Sequence, residues 1–301
     1  MTSAIANGLS IDFESHGPDD GEPILLIMGL GAQLILWSQV FIDRLTEAGL
    51  RVIRFDNRDV GRSSRIDAPS PTVKDLVASL LAPGRAKAPY ALSDMADDAA
   101  GLLDHLGLDR AHVVGVSMGG MIAQELAIGH PSKVASLTSI MSNTGARRTG
   151  RMSPKLLPSF IRSRSSLSST ADDAVAMGRL IAGPYFNEQL ARDLYDIARS
   201  REGDPAAARA GMARQTMAVL ATRDRTADLR RVCVPTLVVH GLLDPLVRPS
   251  GGMATAAAVP GSRLVIYPDM AHDVPDIRLE ELAGEIIRNC RRASGMVPAL
   301  A

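Results

Sequence analysis

Gly115-Val116-Ser117-Met118-Gly119 follows the apolar run Ala111-His112-Val113-Val114 and precedes Gly120-Met121-Ile122-Ala123-Gln124-Glu125-Leu126-Ala127, whose small and apolar residues have helical spacing. The order reads as a strand, a sharp turn and a helix, with Ser117 at the apex. Gly115 and Gly119 stand two residues either side of the serine, where a strained turn brings strand and helix too close for side chains. A bare G-x-S-x-G pattern also arises in ordinary glycine-rich strand ends. What favours a nucleophile elbow is the context: the flanking strand and helix, and acid and base candidates that follow in the order Ser, Asp, His.

Outward from this unit, short apolar segments alternate with helical ones, the pattern of a mostly parallel, doubly wound sheet flanked by helices in the α/β class. Ile5 to Glu14, with Asn7-Gly8 early in it, reads as a small antiparallel edge. Pro23 to Met28 is a continuous apolar run, as expected for a strand buried on both faces, followed by a glycine-rich loop and a helix from about Leu34 to Ala48. Leu50 to Phe55 is the next strand. Ser93 is the expected N-cap of a helix over Asp94 to Leu106, with Met95, Leu102, Leu103 and Leu106 on one face. Further strands are expected at Ala111 to Val116, Val134 to Met141, Pro235 to His240 and Arg263 to Tyr267, and a final helix at Ile277 to Arg291.

Residues 144–225 break this rhythm, because they lack strand-like runs. Asn187 ahead of Glu188, and Asp204 followed by Pro205, are helix-start signals. The expected organisation is therefore a core of residues 1–143 and 226–301 carrying a helical cap insertion over 144–225. In a doubly wound sheet ligands bind beyond the carboxyl ends of the strands, where an insertion can roof the site. Tyr185, Phe186 and Tyr195 suit an apolar pocket there, and equally suit helix packing. The stretch from Thr144 to Thr170 carries Arg147, Arg148, Arg151, Lys155, Arg162 and Arg164 and no acid. Two readings stand: a solvated surface, or an entrance that attracts anionic substrates or a membrane surface. Ser163 to Ser169 reads as a mobile connection.

Composition narrows the function classes. The 301 residues are 46% hydrophobic and 22% charged, with Lys+Arg and Asp+Glu both 33, which is ordinary for a globular chain. Zero formal net charge argues against nucleic acid as partner, and a small-molecule substrate fits better. No apolar run approaches about 18 residues and the N-terminus has no basic, apolar leader, so the expectation is a cytoplasmic chain without stable membrane insertion. The two cysteines, Cys233 and Cys290, have no metal-type spacing and read as reduced thiols. No clustered ligand set, third glycine of a dinucleotide loop, or P-loop is present, so neither metal nor cofactor is expected. Oligomeric state is left open.

A serine hydroxyl needs a base to take its proton and a third group to orient that base. His272 follows the last expected strand in a loop and is the first choice. His16, His105, His112 and His130 lie in an edge, a helix, a strand and a helix end, and read as structural. His240 ends a strand on the same side of the sheet and reads as a supporting histidine. Asp244, after the strand ending at His240, is the expected acid, ahead of Asp269 and Asp273, which share the His272 loop. Asn143 occupies the other place where such an acid can stand, but an amide supplies no charge. A tetrahedral intermediate also needs amide donors, and Met118 and Leu30, the latter in the loop Met28-Gly29-Leu30-Gly31-Ala32, are the expected pair.

Taken together, Met28-Gly29-Leu30-Gly31, Asp56-Asn57-Arg58-Asp59-Val60-Gly61-Arg62-Ser63, the elbow, Asp244 and His272 resemble the α/β-hydrolase fold family. The likeness spans everything but the insertion, and is strongest to esterases of the aclacinomycin methylesterase type and looser to enol-lactonases. It implies a serine esterase that cleaves small to medium, apolar carboxylic esters through an acyl-enzyme. A lactonase, a thioesterase, an acyltransferase or a ligand-binding protein on the same fold are the alternatives. The resemblance also implies that residues 56–63 are a structural turn with no chemical role. Two departures stand out: Met28 where many members have histidine, and Asp59 where many have glycine. Neither removes a backbone donor.

Overall fold

The computed structural model describes residues 2–81, 86–159 and 170–295. Its strands are β1 (Thr2–Ala6), β2 (Leu9–His16), β3 (Glu22–Ile27), β4 (Leu50–Phe55), β5 (Ala111–Val116), β6 (Val134–Ile140), β7 (Thr236–Gly241) and β8 (Arg263–Tyr267). They form one eight-stranded sheet in the order β1-β2-β4-β3-β5-β6-β7-β8. β1 and β2 are joined antiparallel through Asn7 and Gly8, both with positive φ (50° and 77°), as a two-residue hairpin turn requires. β2 also runs antiparallel to β4, and every other neighbouring pair is parallel.

Alternation along the strands builds two cores. Leu25, Ile27, Phe55, Val113 and Leu137 face Met95, Leu102, Leu103, Ile122 and Leu126 of helices α3 (Leu92–His105) and α4 (Met118–Gly129). Ile24, Leu26, Val52, Val114 and Val239 face Phe41, Ile42, Leu45, Leu282 and Ile286 of α1 (Gln39–Glu47) and α10 (Asp276–Ala293). Removing one such leucine or isoleucine side chain from water contributes about 1.5–3 kcal/mol, so a sheet buried on both faces is what these continuous apolar runs favour.

Two expected helix starts move. The helix expected from Leu34 is a short 3-10 turn, Leu34–Leu36, followed by a break at Ser38, whose side chain accepts from the Phe41 amide and starts α1 at Gln39. The turn is held apart from α1 because the Leu34 amide donates to Asp56 Oδ1 at 2.7 Å. Ser93 is not an N-cap: α3 begins at Leu92, and the carboxylate of Asp94 accepts from the Ala91 amide at 2.8 Å. Burial of Leu92 fixes that earlier entry.

Between β6 and β7, residues 144–225 contribute helices and no strand among the described residues. These are α5 (Ala171–Ile181), α6 (Glu188–Glu202) and α7 (Pro205–Leu220), after α2 (Val73–Leu81) earlier in the chain. Asn187 caps α6 by accepting from Leu190, and Asp204 caps α7 by accepting from Ala206 with Pro205 in the first turn. The Ser163 to Ser169 segment, Arg162 among the basic residues before it and Arg164 within it lie outside the described residues. The chain continues through α8 (Thr226–Leu229) and α9 (Ser250–Ala258). No helix of the described residues is long and apolar enough to cross a membrane.

Buried ion pairs tie α6 and α7 to β2 and to the loop after β4. Arg201 bridges Asp12 and Asp56 at 3.0 and 2.8 Å, and Arg214 makes a two-pronged contact with Asp59 at 2.6 and 2.9 Å. Asp59 also accepts from Tyr90 Oη at 2.8 Å and from the Ile66 amide at 2.9 Å. Burial and the Asp59 charge hold the Tyr90 phenol well above its ordinary range. Residues 56–63 thus act as the structural turn the resemblance implies, but also as the anchorage of the inserted helices.

Candidate active site

Ser117 sits between β5 and α4 with φ 57° and ψ −119°, a left-handed backbone that a residue with a Cβ adopts at a cost of about 1–2 kcal/mol. The tightness of the turn explains its glycines. A Cβ on Gly115 would lie 2.1 Å from the Gly119 carbonyl oxygen, and one on Gly119 would lie 2.1 Å from that of Ile27. The Ser117 amide donates to the Ile140 carbonyl at 2.8 Å, fixing the apex to β6.

His272 follows β8 and Asp244 follows β7, so parallel neighbours deliver both to the same end of the sheet as the serine. His272 Nδ1 lies 2.7 Å from Asp244 Oδ2, and its Nε2 lies 3.0 Å from Ser117 Oγ. A proton on Nδ1 facing the carboxylate leaves Nε2 as the acceptor for the serine hydroxyl. Asp244 is 3% exposed, and its Oδ1 accepts from the Leu246 and Val247 amides, both at 2.8 Å. Burial pushes its carboxyl up, but bonds from His240, His272 and the Val247 amide outweigh that and hold it below the usual carboxylate range.

His240 supports this acid from behind. Its Nε2 donates to the Val247 carbonyl at 2.7 Å, which fixes its tautomer, and the same nitrogen stands 3.4 Å from Asp244 Oδ2. The other candidates are placed elsewhere. Asp269 pairs with Arg278, while Asp273 accepts from the Gly183 and Ala271 amides and ties the His272 loop to the end of α5. The His272 amide itself donates to the Ile181 carbonyl at 2.9 Å. Asn143 holds the turn into the insertion, through its carbonyl to Arg225 and its side chain to the Gly145 amide. His16 and His130 meet Glu14 and Asp97, His112 meets Ser136, and His105 lies in the last turn of α3.

Met118 is the first residue of α4, where an amide has no carbonyl one turn earlier and the helix dipole favours negative charge. Leu30 lies in a turn closed by the Ala32 amide donating to the Gly29 carbonyl. Gly29 packs on the serine, since a Cβ there would lie 3.3 Å from Ser117 Cβ. The neighbouring Gly31 amide is occupied by Gln215 Oε1 at 2.8 Å. Leu30 and Met118 both line the cavity that Ser117 faces.

Ser117 and His272 line a cavity of about 2190 Å³ between the sheet end and the inserted helices, whose wall also includes Met28, Leu30, Leu180 and Leu194. Tyr185, Phe186 and Tyr195 line it too, and so do Arg147, Arg148 and Arg151, which remain exposed. Among the described residues no group of three or more His, Cys, Asp or Glu side chains could hold a metal ion. Cys233 is exposed, and burial pushes the Cys290 thiol up to about 12.

Sequence reasoning missed Gln215, Arg201 and Arg214, which join α6 and α7 to β2 and to the loops after β3 and β4. Nothing local marks them, since their partners lie 145 to 189 positions away.

Comparison with known proteins gives a consistent result. Residues 22–277 match the family model described as alpha/beta hydrolase fold. A rhodomycin D methylesterase of Streptomyces peucetius is 31% identical over 93% of this chain and 95% of its own. Among solved structures, an enol-lactonase from Burkholderia xenovorans LB400 superposes with TM-score 0.71, at 23% identity over 98% of this chain and 100% of that one. A meta-cleavage product hydrolase from Pseudomonas fluorescens IP01 gives TM-score 0.75 at 18% identity, over 97% of this chain and 98% of that one.

Proposed function

The chain belongs to the alpha/beta hydrolase fold family, and from that premise we propose that it is a serine hydrolase of carboxylic esters in which Ser117, His272 and Asp244 form the catalytic triad. The observation that carries the proposal is the unbroken chain of contacts from Asp244 Oδ2 through His272 to Ser117 Oγ, at 2.7 and 3.0 Å, opening into the cavity. The named activity of the relative that is 31% identical along nearly its whole length, a methylesterase, supports the ester-cleaving class.

The chemistry runs in two halves. Ser117 Oγ attacks the ester carbonyl carbon while its proton passes to His272 Nε2, and Asp244 stabilises the imidazolium that forms. The carbonyl oxygen takes up the charge of the tetrahedral intermediate between the Met118 and Leu30 amides. His272 then returns its proton to the departing alkoxide, the C–O bond breaks, and an acyl-serine remains. In the second half a water gives its proton to His272 and attacks the acyl carbon. Ser117 leaves with that proton restored, and the carboxylic acid is released.

Residues 144–225 act as a cap that shapes the acyl and alcohol subsites in this reading. Leu180, Leu194, Tyr185 and Phe186 on the cavity wall support small to medium, apolar esters. The test is hydrolysis of p-nitrophenyl esters of increasing acyl length by the wild type and Ser117→Ala, with both shown to be folded. Turnover that disappears in the variant is expected. Equal turnover by both proteins would remove Ser117 from the mechanism, and turnover of lactones or thioesters alone would overturn the substrate class.

A further inference from the structure

We propose that Gln215, on the inserted helix α7, is a positioning residue that holds the Leu30 amide in the geometry of an oxyanion donor, so that the cap supplies part of the transition-state machinery. The inference rests on the hydrolase reading above and deepens it.

The Leu30 N–H belongs to the Gly29–Leu30 peptide. Among the described residues that peptide is held by a single 3.2 Å bond, from the Ala32 amide to the Gly29 carbonyl. The third residue of the turn, Gly31, has φ +68°, the left-handed position that a type II turn reserves for glycine. Such a turn can rotate its peptides at modest cost unless the neighbouring planes are tied down. Both are. On one side, the Met28 carbonyl accepts from Asn57 Nδ2 at 3.0 Å. On the other, the Gly31 amide donates to Gln215 Oε1 at 2.8 Å.

Gln215 is itself locked. It is fully buried, and its Nε2 donates to the Arg58 carbonyl at 2.8 Å, which forces Oε1 toward Gly31. The helix carrying it approaches the core closely. A Cβ on Gly211 would lie 2.2 Å from the Asp59 carbonyl oxygen, and one on Gly31 would lie 2.5 Å from Met212 Cε. Arg214, next in sequence, is clamped on Asp59. The amide side chain therefore spans two loops, after β3 and after β4, from an element that belongs to neither.

An amide donor contributes to rate only when aimed at the place the oxyanion will occupy, and removal of such a donor typically costs on the order of 10²–10³ in kcat. Gln215 touches no reacting atom, so its loss should release the aim without removing the donor. We expect Gln215→Ala to lower kcat roughly 10- to 100-fold, a fraction of that full cost, with KM for a p-nitrophenyl ester within about threefold. Affinity for a trifluoromethyl ketone, whose serine adduct places an oxyanion between the same amides, should fall by the same factor as kcat/KM. Binding of the product alcohol, which carries no oxyanion, should not change.

Gln215→Glu keeps an acceptor for Gly31 but loses the donor to the Arg58 carbonyl, so it should recover only part of kcat. Where the alanine variant fails to fold, Gln215→Met fills the same space without an acceptor and is read in its place. Unchanged kcat and unchanged ketone affinity in a folded variant lacking the acceptor would overturn the proposal, as would a rise in KM alone. The underlying hydrolase reading fails differently: the wild type itself would then neither turn over esters nor form the ketone adduct on Ser117.

Discussion

Replacing Asp59 tests whether the turn after β4 and the inserted helix α7 are joined by a charge pair that neither side can lose alone. Asp59 is fully buried and accepts from Arg214, Tyr90 and the Ile66 amide. Asp59→Gly removes these acceptors and leaves the Arg214 guanidinium, whose side chain is 5% exposed, without its counter-ion. Breaking a buried pair from one side costs about 3–5 kcal/mol, because the remaining charge stays in low-dielectric surroundings. The same change relieves the left-handed backbone at position 59, where φ is 70°, by about 1–2 kcal/mol. The expected net loss is about 1–4 kcal/mol, at a position whose backbone favours glycine. Arg214→Met, which leaves the carboxylate with Tyr90 and Ile66, should also destabilise by about 3 kcal/mol. The double variant carries neither charge and should be more stable than the sum of the single losses by about 1–3 kcal/mol. Urea unfolding of the four proteins, with equal m-values as the condition for comparison, measures that coupling. A coupling below about 0.5 kcal/mol, as for independent sites, or an Asp59→Gly protein as stable as the wild type, would show that the two residues are not joined as a pair.

Further outcomes follow from the same geometry. Asp244→Asn leaves the fold intact but deprives His272 of its charge partner, so kcat should fall roughly 10³- to 10⁴-fold; a loss under tenfold in steady-state assays would contradict the role given to Asp244. Because the Asp244 carboxyl is held below its ordinary 3.8, its contribution to stability is complete above that pH and disappears as pH falls through the lower folded value. The stability difference between wild type and Asp244→Asn should therefore shrink below about pH 4, as read by denaturant titration at several pH values. At pH 8 a disulfide reagent should modify exposed Cys233 and leave Cys290, whose thiol is pushed up to about 12, untouched until the chain unfolds; two equivalents of rapid reaction would be the contrary result. Gly119→Ala should give no soluble protein, since its Cβ would lie 2.1 Å from the Ile27 carbonyl oxygen, whereas Gly284→Ala, open to space on a helix, should stabilise by about 0.5–1 kcal/mol.

Much of the sheet was readable because burial on both faces demands uninterrupted apolar runs. Pro23 to Met28 and Leu50 to Phe55 have no other economical use, and Asn7-Gly8 marks a tight hairpin through its tolerance of positive φ. The elbow was readable for a steric reason: only glycine fits where β5 and α4 nearly touch. Helix starts were less so, because a tertiary bond decides them. The carboxylate of Asp56 captures the Leu34 amide and turns an expected long helix into a short turn and α1.

The departure at Asp59 was visible as a residue where many family members carry glycine, but its meaning was not. The position keeps the left-handed backbone, and the aspartate tolerates it because its carboxylate is fixed by Arg214 and Tyr90. Nothing in the local sequence joins residue 59 to residue 214, or residue 31 to residue 215. The anchorage of α6 and α7, and with it the contact from Gln215 to Gly31, became legible only in three dimensions.

The nucleophilic role of Ser117 is tested by treating the folded protein with a fluorophosphonate and locating the adduct by peptide mass spectrometry. One phosphonyl group on Ser117 is expected, formed quickly in the wild type and slowed at least about 100-fold in His272→Ala, which lacks the base that activates the hydroxyl. Failure to label Ser117, or labelling just as fast without His272, would contradict it.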